Sequence, residues 1–387
     1  MTAYPALDFQ AFPGRPRVLV AEDQPDVIAA LHLLLKRNGY DAEFVSSPGD
    51  ALQALRSRTF DVVLLDLNYS RDTTSGSEGL ELVSQAQAID STLAVVVMTA
   101  WGSIALAVEA MHRGACDFVQ KPWENAQLLR VLHQHVERSH SIRQKRLSEE
   151  LEQQEAARIQ RALMPNEITA PAGMTIAASS QSVHMVGGDY YDVIQLDATR
   201  TGVCIADVMG KGVGAALLMS NLQAAVRVLA PEVRDPAAFC RRANQAVSAN
   251  NVAGKFITFF YCVLDAEHRR ITFTNAGHNW PLLAHADGTF DRLNTEDIVL
   301  GTTPKWTYHQ RELNLRSGDR LVLFTDGITE ACDTNGIEFG EDNLLQVLRE
   351  NLSLGAHDLK DKLLQAARSH CRGAWTDDAT LIVVALE

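Results

Sequence analysis

Asp61-Val62-Val63-Leu64-Leu65-Asp66 is the stretch on which the reading of the first part of this 387-residue chain turns. Its apolar residues follow one another without alternation. A strand of that kind has both faces covered, as in a parallel sheet lying between helices. Outward from it, Arg17-Val18-Leu19-Val20-Ala21, Leu93-Ala94-Val95-Val96-Val97-Met98 and residues 116–119 read the same way. Val27, Ile28, Leu31, Leu34 and Leu35 recur at helical spacing and stop at Gly39; Ile104, Val108 and Met111 mark a second helix that stops at Gly114. The expected fold is a doubly wound α/β unit.

Asp66 ends its strand, so its carboxylate projects from the carboxyl edge of the sheet, where such folds bind ligands. Glu22 and Asp23, at the end of the first strand, come to lie beside it. Three carboxylates repel unless a cation offsets them, and a hard, oxygen-ligated ion such as Mg(II) fits. Thr99 follows with a hydroxyl and Lys121 with a compact positive charge. Any one of these is ordinarily a turn or capping residue; the ordered set at successive strand ends is specific. Through Ala21-Glu22-Asp23, Leu65-Asp66, Met98-Thr99-Ala100 and Phe118-Val119-Gln120-Lys121-Pro122 the region resembles the response-regulator receiver domain. The resemblance implies that Asp66 accepts a phosphoryl group from a cognate histidine kinase. It also implies one Mg(II) on Glu22, Asp23, Asp66 and the Asn68 carbonyl, a switch pair of Thr99 and Phe118, and a phosphate contact at Lys121. One departure is the loop over 68–77, longer and more polar than usual, with Arg71, Asp72, Thr73 and Thr74.

Residues 124–163 contain no glycine or proline, and charges of both signs alternate along them. One helix of that length reaches about 60 Å at 1.5 Å per residue. Its apolar seam, Leu128, Leu132, Ile142, Leu147, Leu151, Ile159 and Leu163, departs from a strict heptad. It reads either as a coiled coil joining a homodimer or as a solvated spacer. Pro165 ends it.

The remainder has short β-like runs at 202–206, 258–264, 270–274 and 321–324, and helix-like stretches at Val213–Leu229 and 359–369. The order suggests an α+β domain with packed antiparallel sheets. Its theme is an apolar run followed by Asp beside glycine or a second acid: Val186-Gly187-Gly188-Asp189, Ile205-Ala206-Asp207-Val208, Phe324-Thr325-Asp326-Gly327 and Thr376-Asp377-Asp378. Any one alone is an Asx turn. No lysine or arginine is expected near all four, so cations are the economical partners. Carboxylates without His or Cys indicate Mg(II) or Mn(II) rather than zinc.

With Asn275-Ala276-Gly277-His278-Asn279, Pro281 and Ile159-Gln160-Arg161-Ala162-Leu163-Met164-Pro165, this region resembles the metal-dependent, protein phosphatase 2C-like enzymes, in particular their SpoIIE/RsbU-type branch. The resemblance implies two antiparallel β-sheets sandwiched between helices, and two Mn(II) or Mg(II) ions. Asp207 would bridge them, Asp189 and the Val208 carbonyl completing one site and Asp326 and Asp377 the other, with Asp378 as the alternative ligand. The implied reaction is in-line attack of an activated water on phosphorus, with no covalent intermediate. Lys211 either meets substrate phosphate or is a solvated loop lysine; His278 either protonates the departing serine oxygen or stabilises a glycine-rich turn.

The expected organisation is a receiver domain over 15–136, a helical linker over 137–165 and a phosphatase domain over 166–387. Phosphorylation of Asp66 would act through the long helix on the helix after Gly212. The substrate implied by the resemblance is a phosphoserine or phosphothreonine on a STAS-type anti-sigma-factor antagonist. The alternative is an adaptor that binds a client protein without catalysis. A net charge of −13 argues against nucleic acid as a partner. A DNA-binding output lacks a basic recognition helix, the C-terminal region carrying Glu341, Asp342, Asp358 and Asp361 instead. Scattered cysteines, no leader-like N-terminus and no run of ~20 apolar residues point to a cytoplasmic protein that does not enter a membrane.

Overall fold

The computed structural model describes residues 14–68, 77–99, 104–249 and 254–387; the loop over 69–76, with Arg71, Asp72, Thr73 and Thr74, lies outside them, as does Ala100. The chain forms two compact units, Met1–Glu150 and Leu151–Glu387.

In the first unit β1 (Arg17–Ala21), α1 (Pro25–Arg37), β2 (Asp41–Val45), α2 (Pro48–Ser57), β3 (Val62–Asp66), α3 (Ser77–Ile89), β4 (Ala94–Thr99), α4 (Ile104–His112) and β5 (Asp117–Gln120) alternate, and α5 (Asn125–Leu163) follows. The strands pair in parallel in the order β2-β1-β3-β4-β5. Side chains alternate across a strand, so each apolar run feeds two cores. Val18, Val20, Val62, Leu64, Val96 and Met98 pack with Leu31 and Leu35 of α1 and with Leu128, Leu132 and Val136 of α5. Leu19, Val63, Leu65, Val95 and Val97 pack with Ala51 and Leu55 of α2, Leu82 and Val83 of α3 and Ala110 of α4. Full burial of one such leucine contributes ~2 kcal/mol. The sequence reading anticipated four of these strands; β2, Asp-Ala-Glu-Phe-Val at an edge of the sheet, is the one it lacked.

The three leucine and valine positions at i, i+4 and i+8 hold the start of α5. Arg143, further along, extends that hold. Its guanidinium donates from Nη1 to Asp61 Oδ1 at 3.0 Å, and from Nη2 to Asp90 Oδ2 at 2.9 Å and the Phe60 carbonyl at 2.6 Å. Asp61, the first residue of the deciding stretch, also accepts the Arg17 N–H at 2.7 Å.

In the second unit β6 (Met174–Gln181), β7 (Tyr190–Gln195), β8 (Arg200–Val208), α6 (Val213–Leu229), α7 (Pro236–Ala249), β9 (Ile257–Asp265) and β10 (Arg270–Ala276) come first. Then come β11 (Leu282–Ala284), β12 (Phe290–Arg292), β13 (Arg311–Asn314), β14 (Arg320–Phe324), α8 (Asp326–Thr329), α9 (Gly340–Glu350), α10 (Ala356–His370) and β15 (Ala379–Leu386). They build two antiparallel sheets, β13-β10-β9-β8-β7 and β12-β11-β14-β15-β6. Val203, Ile205, Phe260 and Cys262 of the first sheet meet Leu321, Leu323, Ile382 and Val384 of the second between the sheets. Alternate residues face outward: Cys204, Ala206 and Tyr261 onto α6 and α7, and Val322, Leu381 and Val383 onto α9 and α10. The result is the expected sheet-on-sheet sandwich between helical layers. Phe239 of α7 stacks on Tyr261 with ring centroids 3.9 Å apart. Neither α7 nor α9 was among the helices read from the sequence.

No described helix is long and apolar enough to cross a membrane.

Candidate metal centres

The parallel register sets the first centre. Ala21 lies opposite Leu65, so Glu22 and Asp23, just past β1, come level with Asp66 at the end of β3. Ligand atoms of Glu22, Asp23 and Asp66 lie within 4.8 Å of one another, the only described trio of His, Cys, Asp or Glu to do so. Lys121 reaches in from the end of β5, its Nζ 2.6 Å from Glu22 Oε2 and 2.8 Å from Asp66 Oδ2. Burial raises Glu22 above the ordinary carboxylate range and Asp66 adds to this, against the opposing pull of Lys121. The Asn68 N–H donates to Asp66 Oδ1 at 3.3 Å. Thr99 is buried at the end of β4, and Phe118 on β5 is exposed. Trivalent acid against one lysine leaves net negative charge, and the donor set is all oxygen; both suit a hard divalent ion.

The second centre gathers acids from four stretches far apart in the chain. Asp189 precedes β7, Asp207 is the penultimate residue of β8, Asp326 opens α8, and Asp377 precedes β15. Burial and mutual repulsion raise the proton affinity of three of them, Asp189, Asp207 and Asp326. Burial, then Asp326, Asp377 and Asp378, push Asp207 up to about 7. Burial and Asp207 raise Asp189 well above the ordinary range, and burial and Asp377 raise Asp326. No three of these side chains bring ligand atoms as close as in the first centre.

Asp189 is held by hydroxyls. Its Oδ2 accepts from Thr380 Oγ1 at 2.6 Å and from Thr325 Oγ1 at 2.8 Å. Its Oδ1 is buried without a hydrogen-bond partner, an expensive condition for a carboxylate unless a cation meets it. The Val208 carbonyl is flanked by Gly188, where an added Cβ would lie 2.9 Å from that oxygen. An unpartnered buried carboxylate oxygen and repelling acids are what a divalent-ion site requires, so these residues fit the expected ions.

Other expected residues take more specific places. The Asp378 carboxylate is engaged by backbone: Oδ1 accepts the Val183 N–H at 2.9 Å and Oδ2 the Gly188 N–H at 2.8 Å. It braces the loop that carries Asp189. Gly187 and Gly327 pack so tightly on Asp378 that a side chain at either would collide with it. Lys211 pairs with one of these acids: its Nζ lies 2.9 Å from Asp377 Oδ2 and donates to the Thr376 carbonyl at 2.9 Å. It is not a freely solvated loop lysine. His278 is buried; its ring Nδ1 lies 2.9 Å from Thr258 Oγ1, which donates to the Asp207 carbonyl at 3.4 Å. Burial pulls His278 down to about 4, so the ring is neutral near pH 7.

The sequence reading gave no role to Thr325, Thr380, Thr258 or Gln160. Thr325 immediately before Asp326, and Thr380 two residues after Asp378, were the available signal for the first two. Gln160 had appeared only within the helix-end motif.

Comparison with known proteins agrees with this architecture. The family profile described as Stage II sporulation protein E (SpoIIE) matches residues 197–387, and that of the response regulator receiver domain matches 18–133. Phosphoserine phosphatase RsbU of Bacillus subtilis (strain 168) is 30% identical over 230 residues, covering 59% of this chain and 68% of RsbU. Transcriptional regulatory protein ZraR of Escherichia coli (strain K12) is 30% identical over 125 residues, 32% of this chain but 27% of ZraR. The SiaA-PP2C domain of Pseudomonas aeruginosa superposes with a TM-score of 0.56 at 23% identity, covering 63% of this chain and 98% of that domain, and shares the fold.

Proposed function

We propose, for a chain that belongs to the SpoIIE family and carries a response-regulator receiver ahead of its phosphatase domain, that Asp66 phosphorylation by a histidine kinase sets the rate of metal-dependent phosphoserine or phosphothreonine hydrolysis. The observation that carries this reading is the convergence of Asp189, Asp207, Asp326 and Asp377. Asp189, Asp207, Asp326, Asp377 and the Val208 carbonyl would hold two divalent ions, Mn(II) or Mg(II), which when bound polarise a water and offset charge on the phosphoryl group. Thr325 and Thr380 orient Asp189, leaving its Oδ1 free to ligate. His278 and Thr258 steady the Asp207 backbone. Lys211 holds Asp377.

In the receiver, Glu22, Asp23 and Asp66, with the Asn68 carbonyl, would hold one Mg(II). Thr99, Phe118 and Lys121 would respond to the phosphoryl group.

The substrate we assign is a phosphorylated STAS-type anti-sigma-factor antagonist; the name of RsbU, a phosphoserine phosphatase, supports the phosphoserine part of that assignment. Leu147, Leu151 and Ile159 lie exposed on α5 and suit contact with a second copy, as in a coiled-coil homodimer. The test is hydrolysis of such a phosphoprotein by full-length protein in Mn(II), with and without a small-molecule phosphoryl donor. The expected result is a rate that changes with the donor in the native chain and not in Asp66→Asn. A rate indifferent to the donor refutes the control, and binding without turnover supports an adaptor instead.

A further inference from the structure

A cavity of about 510 Å³ opens beside α8, and none of the candidate metal ligands lines it. Its walls include Glu330, Glu338, Glu341, Trp280 and His278. Glu341 is engaged by Arg292, whose Nη2 lies 2.7 Å away. Glu330 and Glu338 form no ion pair among the described residues.

The turn between these two glutamates is built to keep them together. The Asp333 carboxylate accepts the N–H groups of Asn335 at 2.8 Å and Ile337 at 2.9 Å. Gly336 takes φ +79°, which the turn requires and glycine adopts freely. A β-bridge then joins Cys332 to Glu338, which brings Glu338 back beside Glu330. Their proximity is felt: burial, then Asp326 and Glu338, raise Glu330 above the ordinary range.

Two further features mark the cavity as a binding site. The Trp280 indole is 48% exposed and offers an aromatic face. His278 is only 3% exposed, and its Nε2 lies beside the Phe324 backbone without completing a hydrogen bond. This buried ring lies in the cavity wall.

The chemistry selects the occupant. Unpaired carboxylates repel a phosphate and attract a cation. An indole face adds attraction for an organic cation of low hydration, most of all a guanidinium.

We propose that this cavity receives an arginine or lysine side chain of the phosphoprotein, so that phosphoserines with a basic neighbour are preferred. The inference rests on the phosphatase reading and specifies its substrate. The test uses full-length protein in Mn(II) and synthetic phosphoserine peptides in which one arginine is moved position by position through a neutral background. Arginine at a favoured position is expected to raise kcat/KM about tenfold over the neutral peptide. That ratio is expected to fall toward unity in Glu338→Gln and in Trp280→Ala, and Glu338→Lys is expected to favour a peptide carrying glutamate in place of the arginine. Hydrolysis of all peptides with no arginine preference, or a preference that survives in Glu338→Gln and Glu338→Lys, overturns the subsite and leaves the phosphatase reading intact. Absence of hydrolysis of every peptide and of p-nitrophenyl phosphate overturns the phosphatase reading, and the subsite with it.

Discussion

Gln160 grips Gly187 at both ends of its backbone: Nε2 donates to the Gly187 carbonyl at 2.7 Å, and Oε1 accepts the Gly187 N–H at 3.0 Å. Gly187 lies two residues before Asp189, so the last turns of α5 bear directly on the loop that carries a candidate metal ligand. Gln160→Ala leaves two buried backbone groups unpaired, at a cost of ~2–4 kcal/mol for the pair. The expected outcome is a weaker Mn(II) requirement curve, shifted to higher concentration, and a lower denaturation midpoint. Gln160→Glu keeps the acceptor but loses the donor, and should fall between the two in a urea titration followed by activity.

The hydroxyls on Asp189 give a second expectation. Thr380→Val and Thr325→Val preserve volume and remove one donor each from Asp189 Oδ2. Loss of such supporting contacts costs ~10–100-fold in metal affinity in other sites. The concentration of Mn(II) giving half-maximal hydrolysis should rise by that order, with a smaller change in kcat at saturation. An unchanged Mn(II) dependence in both variants would show that the hydroxyls serve packing alone.

The fold was legible where each residue acts through its neighbours in sequence. The strand-end acids Glu22, Asp66, Asp189, Asp207 and Asp326 could be picked out because an acid after an apolar run is costly without a partner. The pattern did not separate sheet types by itself. β15 is as uniformly apolar as β4, yet one sheet is antiparallel and the other parallel; both are covered on two faces, and coverage is what the pattern reports. β2 was hidden because its edge position leaves an acid exposed at its start and only partial burial along it. The contacts of Gln160 and Lys211 were hidden for another reason: their partners, Gly187 and Asp377, are 27 and more than a hundred positions away, and no local signal marks such a contact.

His278 makes stability depend on pH. Burial lowers it from 6.5 to about 4. The unfolded chain therefore binds the proton more readily than the folded one between those values, and folding stability falls as pH drops from 6.5 toward 4. A shift of that size corresponds to ~3 kcal/mol, all of it present above the unfolded value. Urea denaturation of the second unit's transition at successive pH values should show this slope in the native chain and a shallower one in His278→Gln.

Arg143 ties α5 to the receiver through Asp61, Asp90 and the Phe60 carbonyl. The guanidinium is partly exposed, so solvent screens the pairs, and Arg143→Met is expected to cost ~1–3 kcal/mol. Hydrogen exchange should report faster opening of the β3 and β4 amides and of α5 near residue 143. If α5 carries the phosphorylation signal, the same variant should reduce the response to a phosphoryl donor while leaving Mn(II)-dependent hydrolysis in place.

The most direct measurement is a Mn(II) titration of phosphoserine hydrolysis by the full-length protein, run beside Asp207→Asn. Hydrolysis should vanish in chelator, return with Mn(II), and fall by about a thousandfold or more in the variant, as expected when a group central to charge stabilisation is removed. Hydrolysis that survives chelator, or that Asp207→Asn leaves at its native rate, would contradict the convergence of these acids on divalent ions.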